Sequence, residues 1–269
     1  PHVDSTPLAM MLEERHTGRA IIPDDPDVAY PSDLIEDMGD EWIAKMMFHY
    51  RWFREEDQQY SSRQIISDNT PGARGESIMA PARAVTARQV GRMAMVCCTS
   101  ENAPVIEAGY HEILDILDSF ACRDEFLFGS RPGLGDFGLF GQLKVLASDR
   151  TPMLIMRGRN PSVFDWLRRL ADASGVEGSW QGFDELRPAV ADLLRFASRY
   201  YLPFLAANAA AYAEGADELA VELDGVQFRQ SPYKYQVKCY DRLRKRLAAN
   251  SSSPLRELLS QTGCLAYLE

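Results

Sequence analysis

The sequence is short of the groups that usually announce a chemistry. Its 269 residues include only four histidines, His2, His16, His49 and His111, and they are too scattered to form a metal-binding pair. Its five cysteines are Cys97, Cys98, Cys122, Cys239 and Cys264. The count is odd and no CxxC spacing occurs. Adjacent Cys97 and Cys98 are badly placed for a mutual disulfide or for zinc. Free thiols in a reducing cytosol are therefore expected, with no bound metal. Basic charge is scarce as well: 29 Lys and Arg stand against 39 Asp and Glu, a net charge of −10. That balance argues against binding to a nucleic-acid backbone or to an anionic membrane surface. No apolar run approaches the roughly 20 residues that cross a bilayer. The opening Pro1-His2-Val3-Asp4 lacks the basic-then-apolar order of a signal peptide, and with no initiator methionine it reads as a processed product or a fragment. A phosphate loop, a nucleophile elbow and a kinase signature set are all missing.

What is present is an ordinary globular composition, long enough for one or two domains with a sizeable core. Asp4-Ser5-Thr6-Pro7 opens a short helix, capped by Ser5 or Thr6, with Leu8, Met11 and Leu12 on its apolar face. Ile21 to Pro26 reads as an extended linker, because its prolines disfavour helix. From Pro31, a stripe of Leu34, Met38, Trp42, Met46, Tyr50 and Phe53 recurs every three or four residues. A helix of that length is expected to kink or break before Asn69-Thr70-Pro71-Gly72. Gly75 and Pro81 keep the next stretch irregular, and helix resumes from Ala82 to Cys98.

Another helix follows Pro104, with Ile106, Tyr110, Ile113, Leu114, Leu117 and Phe120 on one face. After the turn at Gly129–Gly133, Phe137, Phe140, Leu143 and Leu146 mark a nearly all-apolar helix that belongs at the centre of a bundle. Asn160-Pro161 opens a helix with Val163, Trp166, Leu167 and Leu170. A long helical pattern runs from Asp184 to Gly215, with a kink expected at Pro203. The stretch Val221 to Phe228 alternates around Asp224-Gly225, which predicts one small hairpin near 220–229. Helix returns over Tyr233–Ala248, whose Lys and Arg residues read as a solvated face, and a last short helix covers Pro254–Leu259. The fold class expected is an all-α bundle with one hairpin.

Three groups of residues could carry chemistry. Asp4 and Ser5 stand at a helix start, where free N–H groups and the helix dipole favour an anion. Together they suit an α-amino acid head group, although Ser5 reads equally well as a plain cap. Met46, Met47, Tyr50 and Arg51 lie in a run of Met, aromatic and polar residues. That run is either a core stripe or one wall of an apolar ligand pocket. Gly133 and Asp136 fit a helix start in which Asp136 bonds back to the capping backbone, although Gly133 has no hydroxyl to reciprocate.

Taken in order, these stretches resemble the glutathione transferase superfamily. The matching segments are Asp4-Ser5-Thr6-Pro7-Leu8, Ile22-Pro23-Asp24-Asp25-Pro26 and Met47-Phe48-His49-Tyr50-Arg51-Trp52. The most specific are Gly133-Leu134-Gly135-Asp136-Phe137-Gly138-Leu139-Phe140-Gly141-Gln142-Leu143 and Asn160-Pro161-Ser162-Val163-Phe164-Asp165-Trp166. The resemblance covers about residues 1–175, and the remainder looks like a C-terminal extension.

It implies a remnant of a thioredoxin-like domain over 1–18, reduced to its last helix, then a linker over 19–30. A helical C-terminal-type domain follows over 31–269. Asp4 and Ser5 would receive the γ-glutamyl end of glutathione, and Met46, Met47, Tyr50 and Arg51 would line the second-substrate pocket. Gly133 to Asp136 falls on the family's capping box, with the cap residue departing from the pattern. The family's catalytic Tyr, Ser or Cys and its cis-proline lie upstream of the Asp-Ser pair, so no catalytic residue is assigned here. Implied with it are glutathione as co-substrate, a small electrophile as partner, a homodimer, and partial exposure of Leu8, Met11 and Leu12. A non-catalytic binding or assembly module is the alternative.

Overall fold

The computed structural model describes residues 5–16, 18–123 and 125–269. Among these, α1 (Ser5–Arg15) precedes a helical trunk formed by α2 (Pro26–Glu41) and α3 (Ile43–Trp52). Asp25 caps α2 by accepting a hydrogen bond from the Asp27 amide at 2.9 Å, and Pro26 occupies the first turn, where its missing N–H costs nothing. The trunk breaks at Trp42, as the excessive length of the stripe requires, and α4 (Glu55–Asn69) turns off after Trp52. An arm is made by α4 and α5 (Glu76–Val90), of which α5 buries Ala82 alone.

The centre is built from α6 (Ala103–Ala121) and α7 (Leu134–Leu146), followed by α8 (Arg150–Arg159) and α9 (Pro161–Leu170). The apolar face read from Ile106 to Phe120 is buried in α6. Leu139, Leu143 and Leu146 of α7 are wholly buried and face α2, α3 and α9. Each such leucine contributes about 1.5–3 kcal/mol through burial. Val163, Trp166, Leu167 and Leu170 of α9 close the core.

Next come α10 (Pro188–Phe196) and α11 (Leu202–Glu214), joined by a π-helical turn over Ala197–Tyr201. The hairpin of β1 (Leu219–Leu223) and β2 (Val226–Gln230) is antiparallel, with Val221 opposite Phe228. Asp224 and Gly225 both have positive φ, 50° and 77°, as a tight two-residue turn requires. The chain ends in α12 (Lys234–Ala248), α13 (Ser253–Gln261) and α14 (Leu265–Leu268). The architecture is all-α with one small hairpin.

Several boundaries differ from the sequence reading, each for a local reason. Helix α2 starts at Pro26 and not at Pro31, because Asp25-Pro26 is itself a cap followed by a first-turn proline. Pro31 lies inside the helix, losing one backbone bond in a segment held by burial along its length. Helix α5 starts at Glu76 with Pro81 inside it, and it stops at Val90 before a short 3-10 turn over Ala94–Val96, not at Cys98. Phe137 and Phe140 are half-buried, since the inner face of α7 is carried by its leucines. The irregularity expected at Pro203 takes the form of the π turn immediately before it. Helices α8 and α14 carry too little apolar periodicity to be read in advance.

Candidate functional site

Of the head-group pair, Asp4 lies outside the described residues. Ser5 is the first residue of α1 and is exposed. The helix is tied to the trunk next to it: Thr6 Oγ1 donates to Glu36 Oε1 at 2.6 Å. At its other end, the Glu13 carboxylate accepts from the Ile21 amide at 3.0 Å, which folds the following segment back. Leu8 and Leu12 remain 39% and 43% exposed, so α1 presents an apolar face to solvent.

Glu36 belongs to a buried charge cluster. Arg242 of α12 bridges Asp33 and Asp37 of α2, at 2.7 Å to each, and Arg246 reaches Asp33 at 2.7 Å. Tyr201 OH donates to Asp37 at 2.6 Å. These two arginines therefore do not form the solvated face expected of α12, because the carboxylates of α2 sit beneath them. Burial pushes Glu36 up to about 7, against the pull of the Thr6 hydroxyl, and it raises Asp37 as well.

The four residues expected to line a pocket go to three different places. Met46 and Tyr50 point into the core, each 1% exposed. Arg51 forms an ion pair with buried Asp149, Nε to Oδ2 2.8 Å. Met47 is half-buried and lines a cavity on the outer side of the trunk. Between them, fully buried His49 meets Glu107 at 2.8 Å, and Arg54 shares the same Glu107 oxygen. Burial holds the imidazole below its ordinary pKa, so it is neutral at neutral pH.

Gly133 and Asp136 start α7 together. Asp136 Oδ2 accepts from the Gly133 amide at 2.9 Å and Oδ1 from the Leu127 amide at 2.8 Å. The hydroxyl that Gly133 lacks comes from another helix: Ser32 Oγ of α2 accepts from the Gly135 amide at 3.0 Å. A cap side chain ordinarily takes the amide of the second or third helical residue, and Gly135 is the second, so α2 caps α7 from outside. Complete burial pushes Asp136 up to about 7 despite these donors.

The most distinctive chemistry was missed in the sequence. Lys45 is only 5% exposed. Its Nζ donates to Gln230 Oε1 at 2.9 Å and to Cys97 Sγ at 3.2 Å, and it stands 4.6 Å from the centre of the Phe204 ring. No carboxylate of the described residues forms an ion pair with it. Lys45 also lines the 270 Å³ cavity bounded by Asp40, Glu41, Met47, Phe48 and Met95. Glu41, bonded by Gln236 at 3.2 Å, is pushed up to about 7 by burial. The available signal was positional: Lys45 falls between Trp42 and His49 at helical spacing, on the side of the stripe. A larger groove of 540 Å³ separates α4 from α5, but no buried charge opens onto it.

Among the described residues, no cluster of His, Cys, Asp and Glu could hold a metal ion, and no helix is long and apolar enough to cross a membrane. In comparisons with known proteins, the chain matches no family model, no curated protein and no solved structure.

Proposed function

We propose that the chain is the helical part of a glutathione transferase-like protein that conjugates or reduces small electrophiles with glutathione. The observation that carries this reading is the start of α7. A buried aspartate bonds back to the capping backbone of a central helix, and Val163 and Trp166 of a later helix pack into the same core. In this reading Asp4 and Ser5 receive the γ-glutamyl group at the start of α1. The exposed Leu8 and Leu12 are the surface on which a thioredoxin-like unit sits. That unit, and not these helices, lowers the pKa of the glutathione thiol, and the helices hold the electrophile beside it. The chain's own buried thiols suit no such role, since burial raises Cys97, Cys98, Cys239 and Cys264 alike. A homodimer in the cytoplasm goes with this reading.

The test is calorimetric titration with glutathione of the protein expressed from its whole reading frame, beside an aryl-halide conjugation assay. Saturable binding is expected, weakened at least about fivefold by Ser5→Ala, with no turnover from the 269-residue chain by itself. Absence of glutathione binding by the whole protein would overturn the proposal. A second reading, a binding module without chemistry, is favoured by the cavity at Lys45, which has a buried ammonium but no activated nucleophile beside it.

A further inference from the structure

One face of α2 carries three buried carboxyl groups, Asp33, Glu36 and Asp37, at helical spacing. Their cations both come from α12. Arg242 lies 2.7 Å from Asp33 and from Asp37, and Arg246 lies 2.7 Å from Asp33. Tyr201 adds its hydroxyl to Asp37. Glu36 is served last: Arg242 comes only to 3.8 Å from its Oε2, while its Oε1 accepts from Thr6. Among the described residues, two guanidinium charges therefore answer three carboxyl groups. The cluster is neutral when one of the three holds a proton, and this geometry leaves that proton to Glu36. Burial favours the same state, pushing Glu36 up to about 7.

Three elements close around Glu36, and they are not held equally. Helix α7 comes so near at Gly138 that a Cβ there would sit 2.8 Å from Glu36 Cγ, and buried Leu139, Leu143 and Leu146 fix it. Helix α12 is fixed by buried Tyr240, Leu243 and Leu247. Helix α1 buries no residue, and Thr6 ties this end of it to α2. Its other end is fastened elsewhere. Glu13 accepts from the Ile21 amide at 3.0 Å, and the Ile21 carbonyl accepts from the Leu134 amide at 2.7 Å. The charges that bear most strongly on Glu36 are those of Arg242, Asp37 and Asp33. Tyr30, Tyr201 and Cys239, also packed against the cluster, are pushed up by burial and stay neutral. An ionised Glu36 thus lacks a guanidinium of its own and must reach water. Helix α1 is the element that can yield.

We propose that α1 is a pH-sensitive cover: it is seated while Glu36 is protonated, and its Thr6 end lifts, hinged at Glu13, when Glu36 ionises. The seated form keeps a proton that the lifted form releases near the ordinary carboxyl value. Seating is therefore complete in acid below that value and is lost as pH rises through about 7. A helix of 11 residues off its support is too short to hold its form in water, so the lifted end frays. Ser5 and the exposed Leu8 and Leu12 move with it. The surface that α1 offers is presented in acid and withdrawn in alkali. The inference does not rest on the glutathione reading.

The test is amide hydrogen exchange of the purified 269-residue chain at about pH 5 and about pH 8, each rate taken relative to unstructured chain at the same pH. Protection of the α1 amides is expected to fall at least about tenfold between the two. In Glu36→Gln it should be equal at both, because the neutral amide still accepts from Thr6 and has no proton to lose. That buried change could also disturb the fold, so Thr6→Val is the second variant. It alters no core residue and removes the hydroxyl that seats the helix. Protection of α1 in acid should then drop about fivefold. Equal protection of α1 at the two pH values in the unaltered chain would overturn the inference. So would an undiminished fall in Glu36→Gln, or unchanged protection in Thr6→Val.

Discussion

The Cβ that Gly39 lacks would fall 2.7 Å from the carbonyl carbon of Gly138, so α2 and α7 meet backbone to backbone. The contact is reciprocal along the pair: a Cβ on Gly138 would sit 2.6 Å from the Cα of Glu36. Neither obstacle is a flexible side-chain tip. Gly138→Ala must therefore push the two helices apart. An overpacking loss of about 3 kcal/mol is expected in urea denaturation. Gly141 is the internal control. It lies in the same helix with nothing within 4 Å of a new Cβ, so Gly141→Ala should stabilise by up to ~1 kcal/mol through helix propensity. Equal effects at the two positions would refute the close approach.

Asp136 satisfies two buried amides, those of Gly133 and Leu127. Asp136→Ala leaves both without a partner inside the core and should cost about 3 kcal/mol or more. Asp136→Asn keeps one acceptor oxygen, so its loss should be smaller. Thermal melts of the two variants check the order, and a milder alanine variant would contradict it.

Burial raises Glu36, Glu41 and Asp136 to about 7 and Asp149 to about 6. For each, the folded chain keeps a proton that the unfolded chain releases near its ordinary carboxyl pKa. The stability this contributes is complete below the unfolded value and is lost as pH rises through the folded one. Glu107 and Asp115 act in the opposite direction, because hydrogen bonds from His49 and Arg54 and from Arg159 hold them below their ordinary values. Their contribution is present above the usual carboxyl range and fades in acid. The urea midpoint should therefore peak at mildly acidic pH, at about pH 5, and fall towards about pH 8. Glu36→Gln should flatten that fall, since its amide oxygen still accepts from Thr6. A midpoint rising steadily from acid to alkali would disprove the assignment.

Cys122 is exposed, whereas Cys97, Cys98, Cys239 and Cys264 are buried with raised pKa values. Thiolate, not thiol, attacks a disulfide reagent. One thiol per chain should react quickly in native buffer, and the other four only on unfolding. Cys122→Ser should remove the fast phase. A second fast thiol in that variant would show that one of the buried positions opens.

The helices most legible in advance were those with one continuous apolar face. In α6 the positions from Ile106 to Phe120 keep one helical spacing, and burial follows it residue by residue. The hairpin was equally plain, because Asp224-Gly225 is a turn by its own backbone preferences. The start of α2 was misread because two signals compete there. The proline-rich Ile21–Pro26 stretch suggested a linker, while Asp25-Pro26 is also a helix start. Proline at position 81 was read as a breaker, yet α5 continues through it.

The candidate site was less legible than the fold. Met46 and Met47 are neighbours in sequence and chemically alike, but helical rotation sends one into the core and the other to the cavity wall. Lys45 carried no motif. Its meaning comes from Cys97, Gln230 and Phe204, which lie 52, 185 and 159 residues away in sequence.

What the sequence alone determined is the helical class, the place of the hairpin and the central position of the segment containing Leu139, Leu143 and Leu146. These follow from periodicity and turn chemistry, which act between near neighbours in the chain. The partners of each charged and capping group were decided only by the tertiary structure. Ser32 caps α7 from another helix, Arg242 lies over the carboxylates of α2, and Lys45 is bonded by Gln230 of the hairpin. Such pairings depend on which distant segments are brought together in a desolvated interior, and local pattern holds no record of that.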